Sequence, residues 1–128
     1  MFEQDYVMRQ IKEMVRAFLK LLFNIETDEA NVPITELPQD RVENELLKDL
    51  LDMVDSGNIN EAENRLYNML ENNSSLKTAL LFYSYLNDKT DEFLSACSFS
   101  REEIVSGLDQ IIDRYDLHSL SKLILSEL

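Results

Sequence analysis

Glycine and proline are almost missing from this sequence. Among 128 residues there are two glycines and two prolines, and the glycines stand far apart at Gly57 and Gly107. Loops that cradle phosphate groups need several glycines within a few residues, because the backbone must approach the ligand closely. Dinucleotide-binding and P-loop motifs are therefore excluded. The same scarcity, together with 45% apolar and 29% charged residues, favours a helical globular protein.

Cysteine and histidine occur once each, as Cys97 and His118. A single cysteine excludes an intrachain disulfide and a cysteine-rich zinc site, and it suits a reducing cytoplasm. A catalytic triad, a Cys–His pair or a two-histidine metal site would have to be built around His118 alone. We interpret Cys97 as a small buried apolar side chain and His118 as a surface residue near a helix start. The residue types indicate no catalytic residue, no metal ligand and no cofactor, so we expect a non-enzymatic protein.

Basic residues are outnumbered by acidic ones, 12 to 25, so the chain carries a net charge of −13. Such a charge opposes binding to nucleic acid and to anionic membrane surfaces. The carboxylates show neither the Glu-x-x-His pairs of a di-metal bundle nor the spacing of a calcium-binding EF-hand. Apolar runs such as "ALLFY" at 79–83 are far shorter than the roughly 20 residues of a membrane span. The start, "MFEQDYVMRQ", lacks the basic and apolar regions of a signal peptide, so we expect a cytoplasmic protein.

Apolar residues recur at helical spacing along most of the chain, and no alternating strand pattern competes with them. The residues that predict helix ends are Ser56 and Gly57 for a stop, and Asn58 or Asn60, Thr90 and the capping box Ser100–Glu103 for starts. The predicted helices cover 6–24, 41–55, about 59 to 70, 76–86, 90–97, 100–115 and 116–128.

These helices predict an all-α fold, a single domain over 1–128 with six or seven short helices packed as antiparallel hairpins. Residues 1–24 form an amphipathic N-terminal helix, 25–40 an irregular linker with both prolines, and 41–128 the hairpins. The helix over 76–86 is apolar nearly all round, which is typical of a helix buried between neighbours. The inner stripe predicted for the helix after Ser100 is Ile104, Val105, Leu108, Ile111, Ile112 and Tyr115.

The first helix combines a broad apolar arc with a basic face. Its arc consists of Val7, Met8, Ile11, Met14, Val15, Phe18, Leu19, Leu21 and Leu22, and its basic face of Arg9, Lys12, Arg16 and Lys20. Residues 1–24 carry four basic and three acidic side chains, a net charge of +1, which leaves −14 for the remainder. Three interpretations stay open: the arc packs on the protein's own core, meets a partner or a second copy, or lies on a membrane. The basic face can pair with the acidic remainder within one chain or between copies.

The segment "SGNINEAENRLYNML" at 56–70 has the pattern of the second helix of a tetratricopeptide repeat, with Ala62 followed four residues later by Leu66. The next repeat would align Ala96 with Ala62, but Ser100 stands where an aromatic partner belongs. An array needs about three repeats to form a continuous groove. We therefore predict tetratricopeptide-like packing in the middle of the chain, without a conventional peptide-binding groove.

Three stretches carry a likeness that spans nearly the whole chain: "QDYVMRQIKEMVRAFLKLLF", "GNINEAENRLYNML" and "ALLFYSYLNDKTDEFLSACSFSREEI". In these the sequence resembles a family of small uncharacterised bacterial proteins. The resemblance implies a helical, cytoplasmic domain of unknown function. It implies no catalytic or binding residue at any position.

Function is thus left to hypotheses of three classes. The first is a non-catalytic module for protein–protein interaction or self-association, which presents an apolar, tyrosine-rich surface with Tyr67, Tyr83 and Tyr85. The second is a peripheral membrane protein held through the first helix. The third is a binder of a small ligand within the helical core.

Overall fold

The computed structural model describes residues 2–23, 41–70 and 73–127, with side-chain surroundings for 6–23, 45–70 and 76–122. The regular structure in these ranges is entirely α-helical, which confirms the predicted fold class. The helices are α1 (Phe2–Phe23), α2 (Arg41–Asp55), α3 (Ile59–Asn68), α4 (Asn73–Asn87), α5 (Asp91–Ala96), α6 (Arg101–Arg114) and α7 (His118–Glu127). The linker predicted over 25–40 lies outside the described residues.

Helix α4 is the centre of the fold. It packs against α1, α2 and α6, while α2 also contacts α3, and α1 also contacts α6 and α7. A helix surrounded on several sides has no room for a polar face, which explains why this segment is apolar nearly all round. Its most deeply buried apolar and aromatic side chains, each exposed by 1% or less, are Ala79, Leu80, Phe82, Tyr83 and Leu86.

Part of the apolar arc of α1 packs on the protein's own core, as the first of the three interpretations holds for these residues. Ile11, Val15, Phe18 and Leu19 are exposed by 3% or less. Each such side chain contributes about 1.5 to 3 kcal/mol to folding when it leaves water. The helix also begins at Phe2, earlier than its predicted start. These four side chains therefore already make their apolar contacts within the protein.

Three helices end in the same backbone motif. After α2, the N–H groups of Gly57 and Asn58 donate to carbonyls of the last helical turn at 2.9 and 2.8 Å, and Gly57 has φ = +88°. This is a Schellman motif, whose left-handed residue favours glycine, and it confirms the predicted stop. Helices α5 and α6 end with the same pair of bonds, but Ser98 and Asp116 take the left-handed position at φ = 57° and 56°.

The helix caps predicted at Thr90 and Ser100 are confirmed, whereas the side-chain cap predicted at Asn58 is absent. The Thr90 side chain accepts a bond from the Phe93 N–H, and Ser100 and Glu103 form both bonds of the capping box. Asn58 occupies the cap position of α3, but its side chain makes no capping bond. The reason is that Asn58 also completes the preceding Schellman motif, so its backbone, at φ −95° and ψ 54°, is not in the extended conformation usual for a cap.

The hairpin of α2 and α3 confirms the predicted pair of a small residue, Ala62, and a large residue, Leu66, on the inner face of α3. Ala62 and Leu66 are exposed by 0% and 1%, so the small side chain lets the helices approach and the large one interlocks. The next hairpin does not repeat this arrangement. Helix α5 has only six residues, and Ala96 is exposed to solvent.

Candidate functional site

Tyr83 was predicted at the surface, and that prediction is wrong, because its side chain is fully buried. The hydroxyl donates to the Glu63 carboxylate at 2.6 Å and lies 3.0 Å from the hydroxyl of Tyr67. Since the Tyr83 proton is directed to Glu63, the half-buried Tyr67 hydroxyl has one proton to donate, and the Tyr83 oxygen and the carbonyl of Gly107, 3.3 Å away, share it. This polar cluster, here called the tyrosine junction, joins α3, α4 and α6. It consists of Glu63, Tyr67, Tyr83 and Gly107.

The tyrosine junction depends on the absence of a side chain at Gly107. A Cβ added there would collide with the hydroxyl and ring of Tyr83. Gly107 therefore serves a close approach between α4 and α6, and not a turn. Its place inside a helix costs about 1 kcal/mol relative to alanine in helix propensity, so tertiary packing must outweigh that cost.

Electrostatics keep the two hydroxyls of the tyrosine junction protonated. Burial raises the pKa of the Tyr83 hydroxyl, and its bonds to Glu63 and Tyr67 raise it further. Burial also raises the pKa of the Glu63 carboxyl, in opposition to the lowering effect of the bond from Tyr83, and the charge of Glu103 adds to the increase. The arrangement holds three helices together and engages the hydroxyls of both tyrosines.

Tyr85 belongs to a second cluster, where its polar end is already bound. Its hydroxyl lies 2.8 and 2.9 Å from the two carboxylate oxygens of Asp55, and Lys89 Nζ lies 2.7 Å from one of them. The Lys89 ammonium also sits over the rings of Tyr85 and Phe93, at 4.6 and 5.1 Å from their centroids. The Lys89 bond is the main cause that lowers the pKa of the Asp55 carboxyl. The half-buried Tyr85 thus fastens the end of α2 to α4.

Arg101 is a buried cation that the sequence pattern did not reveal. Its side chain is exposed by 3%, and its guanidinium donates to the Asn87 carbonyl at 2.8 Å, the Lys89 carbonyl at 2.7 Å and the Asp91 carboxylate at 3.1 Å. The Asn87 side-chain amide in turn donates to the Met8 carbonyl of α1 at 2.9 Å. Arginine in the first turn of a helix is usually exposed, so no signal in the sequence predicts that Arg101 is buried.

The four basic residues predicted on α1 do not form one uniform exposed stripe. Arg9 and Lys20 are exposed, whereas Lys12 and Arg16 are half-buried. Arg16 pairs with the Glu13 carboxylate at 3.0 Å. Lys12 is close enough to Asp88 to lower its pKa, although burial is the larger effect and raises it. Arg9 makes no ion pair with any side chain in the described part of the chain.

An apolar groove between α1 and α6 is the feature that the sequence pattern missed. Its lining consists of Gln10, Ile11 and Met14 from α1 and Val105, Leu108 and Asp109 from α6. Val105, predicted on the inner stripe, is 38% exposed at the rim, and Tyr6 is 59% exposed one turn before Gln10. The Gln10 amide donates to the Tyr6 hydroxyl at 2.8 Å. We call Tyr6, Gln10, Met14, Val105 and Asp109 the α1–α6 surface.

Exposure of Leu21 and Leu22 corrects the prediction for the end of α1. Their exposed fractions are 55% and 36%. At 100° per residue, Tyr6, Gln10, Met14 and Leu21 fall within about 80° of one another, so Leu21 continues the stripe that α1 presents beside the groove. The apolar arc is therefore wider than the strip that the core covers.

Other features of the described residues restrict the chemistry available. Cys97 is half-buried and packs beside the core, and His118 is exposed at the start of α7, 3.1 Å from Asp113. The described residues contain no group of three or more side chains suited to hold a metal ion, and none of their helices has the length and hydropathy to cross a bilayer. The α1–α6 groove has a volume of about 60 Å³. Ordinary ligand pockets measure roughly 300 to 1,000 Å³, so this groove suits one side chain better than a small molecule.

Comparison with known proteins adds a family and no activity. The model of a family of unknown function, DUF6483, matches residues 1–116. The chain belongs to this family. The DUF6483 match includes α1 to α6 with both walls of the groove, and α7 lies beyond it. No curated protein and no solved structure matches the chain significantly. The resemblance to a family of unknown function is thereby confirmed.

Proposed function

We propose that this DUF6483 protein is a non-catalytic protein-binding module that acts in the cytoplasm through its α1–α6 surface. One observation carries the proposal. The large apolar side chains that are exposed among the described residues all lie on α1 or α6: Tyr6, Leu21, Leu22 and Val105. Apolar exposure concentrated in this way is typical of a surface that another protein covers.

The shape of the α1–α6 surface supports a protein partner. Its groove has an apolar floor of Ile11, Met14 and Leu108, with polar atoms of Gln10 and Asp109 at the margin. Protein interfaces commonly bury one aromatic or aliphatic anchor in such a depression and surround it with polar contacts. Tyr6 adds a large amphipathic ring beside it, a residue type that interfaces favour.

Site-specific photo-crosslinking tests this proposal. Benzoylphenylalanine replaces Val105 at the rim of the groove, and in a matched control it replaces Asn64, an exposed residue of α3. We expect one protein adduct of defined mass from position 105 and none from position 64. The adduct should disappear when Tyr6→Glu is added, since a charge would then lie beside the apolar contact. Absence of an adduct at position 105, or identical adducts at both positions, would contradict the proposal.

A further inference from the structure

We propose that the tyrosine junction is a proton-linked switch: when Glu63 takes up a proton from water, the hydrogen bonds of the junction reverse direction and hold α6 more tightly to α3 and α4. The inference goes beyond the proposed function and does not require a partner. It follows from the number of protons that the junction has for its hydrogen bonds.

The junction is a row of three hydrogen bonds. Glu63 Oε2 lies 2.6 Å from the Tyr83 hydroxyl, the two tyrosine hydroxyls lie 3.0 Å apart, and the Tyr67 hydroxyl lies 3.3 Å from the Gly107 carbonyl. Both ends of the row are acceptors when Glu63 is ionised, because a carboxylate and a carbonyl carry no proton. The protons of the two hydroxyls must then serve three bonds. The distances increase from Glu63 to Gly107, so the bond to α6 is the weakest.

A proton on Glu63 removes this shortage. The carboxyl group then donates to Tyr83, Tyr83 donates to Tyr67, and Tyr67 gives its proton to the Gly107 carbonyl alone. Each bond has a proton of its own, and all of them point from α3 towards α6. Hydrogen bonds in such a row polarise and strengthen one another. The bond between Tyr67 and α6 gains most, since it is the one that the ionised form supplies poorly.

The surroundings of Glu63 favour the uptake of a proton. Its side chain is half-buried, and burial is the main cause that raises its pKa. The bond from Tyr83 of α4 lowers the pKa, whereas the charge of Glu103 on α6 raises it. Arg65 of α3 lies about 160° around the helix from Glu63, where it pairs with Asp49 of α2 at 3.7 Å. The charged pair between α2 and α3 is therefore on another side of the helix.

The far end of the row has one charged neighbour, on α6. Burial is the largest effect on the pKa of Tyr67 and raises it, whereas the charge of Arg114 lowers it. The net increase keeps the Tyr67 hydroxyl protonated, so it can donate in both states of Glu63. The proton that distinguishes the two states is therefore the one on the carboxyl group.

The switch acts on the part of α6 that forms a wall of the α1–α6 groove. Val105, Leu108 and Asp109 line the groove, and Gly107 belongs to the same turn of the helix. A stronger bond from Tyr67 to the Gly107 carbonyl therefore stabilises this wall from the side of α3 and α4.

Carbon-13 NMR of the Glu63 carboxyl in the full protein tests the direction of the hydrogen bonds, with Glu63→Gln to identify its signal. We expect Tyr67→Phe to bind the Glu63 proton about 2- to 10-fold more weakly than the wild type, because the neutral form loses two hydrogen bonds and the ionised form one. If the direction did not change, Tyr67 would donate to Tyr83 in both states and would help the ionised state more. The variant would then bind the proton more tightly.

Tyr85→Phe is the matched control, since it removes a hydroxyl from the other tyrosine cluster and should leave the proton affinity of Glu63 unchanged. Circular dichroism reports whether each variant is folded. A proton affinity that is unchanged or increased in Tyr67→Phe overturns the inference.

Glu63→Gln gives a second readout that does not depend on the folding of Tyr67→Phe. Its side-chain amide can donate to Tyr83 as the protonated carboxyl group does. With fluorotyrosine at position 67, the fluorine NMR signal of the wild type should move, as the pH falls, towards the value that Glu63→Gln holds throughout. A wild-type signal that does not titrate with Glu63, or a Glu63→Gln signal equal to that of the wild type at neutral pH, also overturns the inference.

Discussion

The tyrosine junction and the α1–α6 surface are both built around tyrosine, yet they are opposite in character. Tyr83 is fully buried and its hydroxyl bonds to residues of two other helices, whereas Tyr6 is 59% exposed and, among the described residues, bonds only to a neighbour on its own helix. The tyrosine junction connects α3, α4 and α6, whereas the α1–α6 surface is exposed to solvent between two helices. Residue type alone therefore does not mark an interface in this protein; what distinguishes the two regions is whether the fold already satisfies the side chain.

Among the substitutions in the tyrosine junction, we expect Gly107→Ala to have the largest effect on stability. A methyl group there must displace the buried Tyr83 ring and break its bond to Glu63, so we expect the free energy of unfolding to fall by about 3 kcal/mol despite the higher helix propensity of alanine. Urea denaturation measures the change. The double variant Gly107→Ala with Tyr83→Phe removes the nearest colliding atom and should lose less than the sum of the single effects. Strictly additive losses would show that the two residues do not meet.

Removing single hydroxyls compares the two regions directly. Tyr83→Phe takes a buried donor away from the Glu63 carboxylate and should lower the free energy of unfolding by about 2 kcal/mol. Tyr6→Phe removes only an exposed bond to Gln10 and should change it by less than about 0.5 kcal/mol. The pair is measured under identical denaturation conditions. Equal effects at both positions would remove the distinction between a closed and an open region.

The pH dependence of stability tests the electrostatics of the junction. Because the pKa of Glu63 is raised above its ordinary value of 4.5, the folded chain holds a proton that the unfolded chain has lost. Its contribution is complete below pH 4.5 and is lost as the pH rises through the folded pKa. Glu63→Gln should therefore flatten the fall in stability over that window. It should be at least as stable as the wild type at neutral pH, as chemical denaturation across pH will show.

Asp55 provides a control, because its pKa is shifted in the direction opposite to that of Glu63. Its pKa is lowered below 3.8, chiefly by the Lys89 bond, so its contribution is present above pH 3.8 and disappears as the pH falls through the folded value. Asp55→Asn should reduce stability at neutral pH and weaken the loss in acid. Glu63→Gln and Asp55→Asn should therefore change the pH dependence of the free energy of unfolding in opposite directions. A change in the same direction would contradict a raised pKa for Glu63 in the tyrosine junction.

The smallest effect on stability is expected at the open surface. Val105→Ser replaces a side chain that is 38% exposed at the rim of the groove, so the free energy of unfolding should change by less than about 0.5 kcal/mol. The same substitution should weaken binding of the partner protein, because it removes apolar area from the contact. Photo-crosslinking from benzoylphenylalanine at Asp109, which lines the same groove, and chemical denaturation of the Val105→Ser chain measure the two quantities. A large loss of stability would place Val105 in the core, where the sequence pattern predicted it.

The contrast also explains what the sequence could predict. Periodicity and local capping rules located the helices, the stop at Gly57 and the capping box at Ser100, because those signals act within a few residues. They placed Val105 inside, since a helical wheel shows which side is apolar but not which neighbour covers it. Tyr83 was assigned to a surface because of its residue type, although the apolar pattern of 76–86 already indicated a buried helix. The roles of Gly107 and Arg101 depend on atoms of α4 and of the turn that follows it. No short-range pattern could reveal them.

Fluorine NMR of the chain labelled with fluorotyrosine tests the central claim in both regions at once. The five tyrosines give separate signals that Tyr→Phe variants assign. When the partner protein captured by photo-crosslinking is added, we expect the Tyr6 signal to change while the Tyr83 signal stays constant. A constant Tyr6 signal, or a Tyr83 signal that changes with the partner, would contradict the distinction between the open surface and the closed junction.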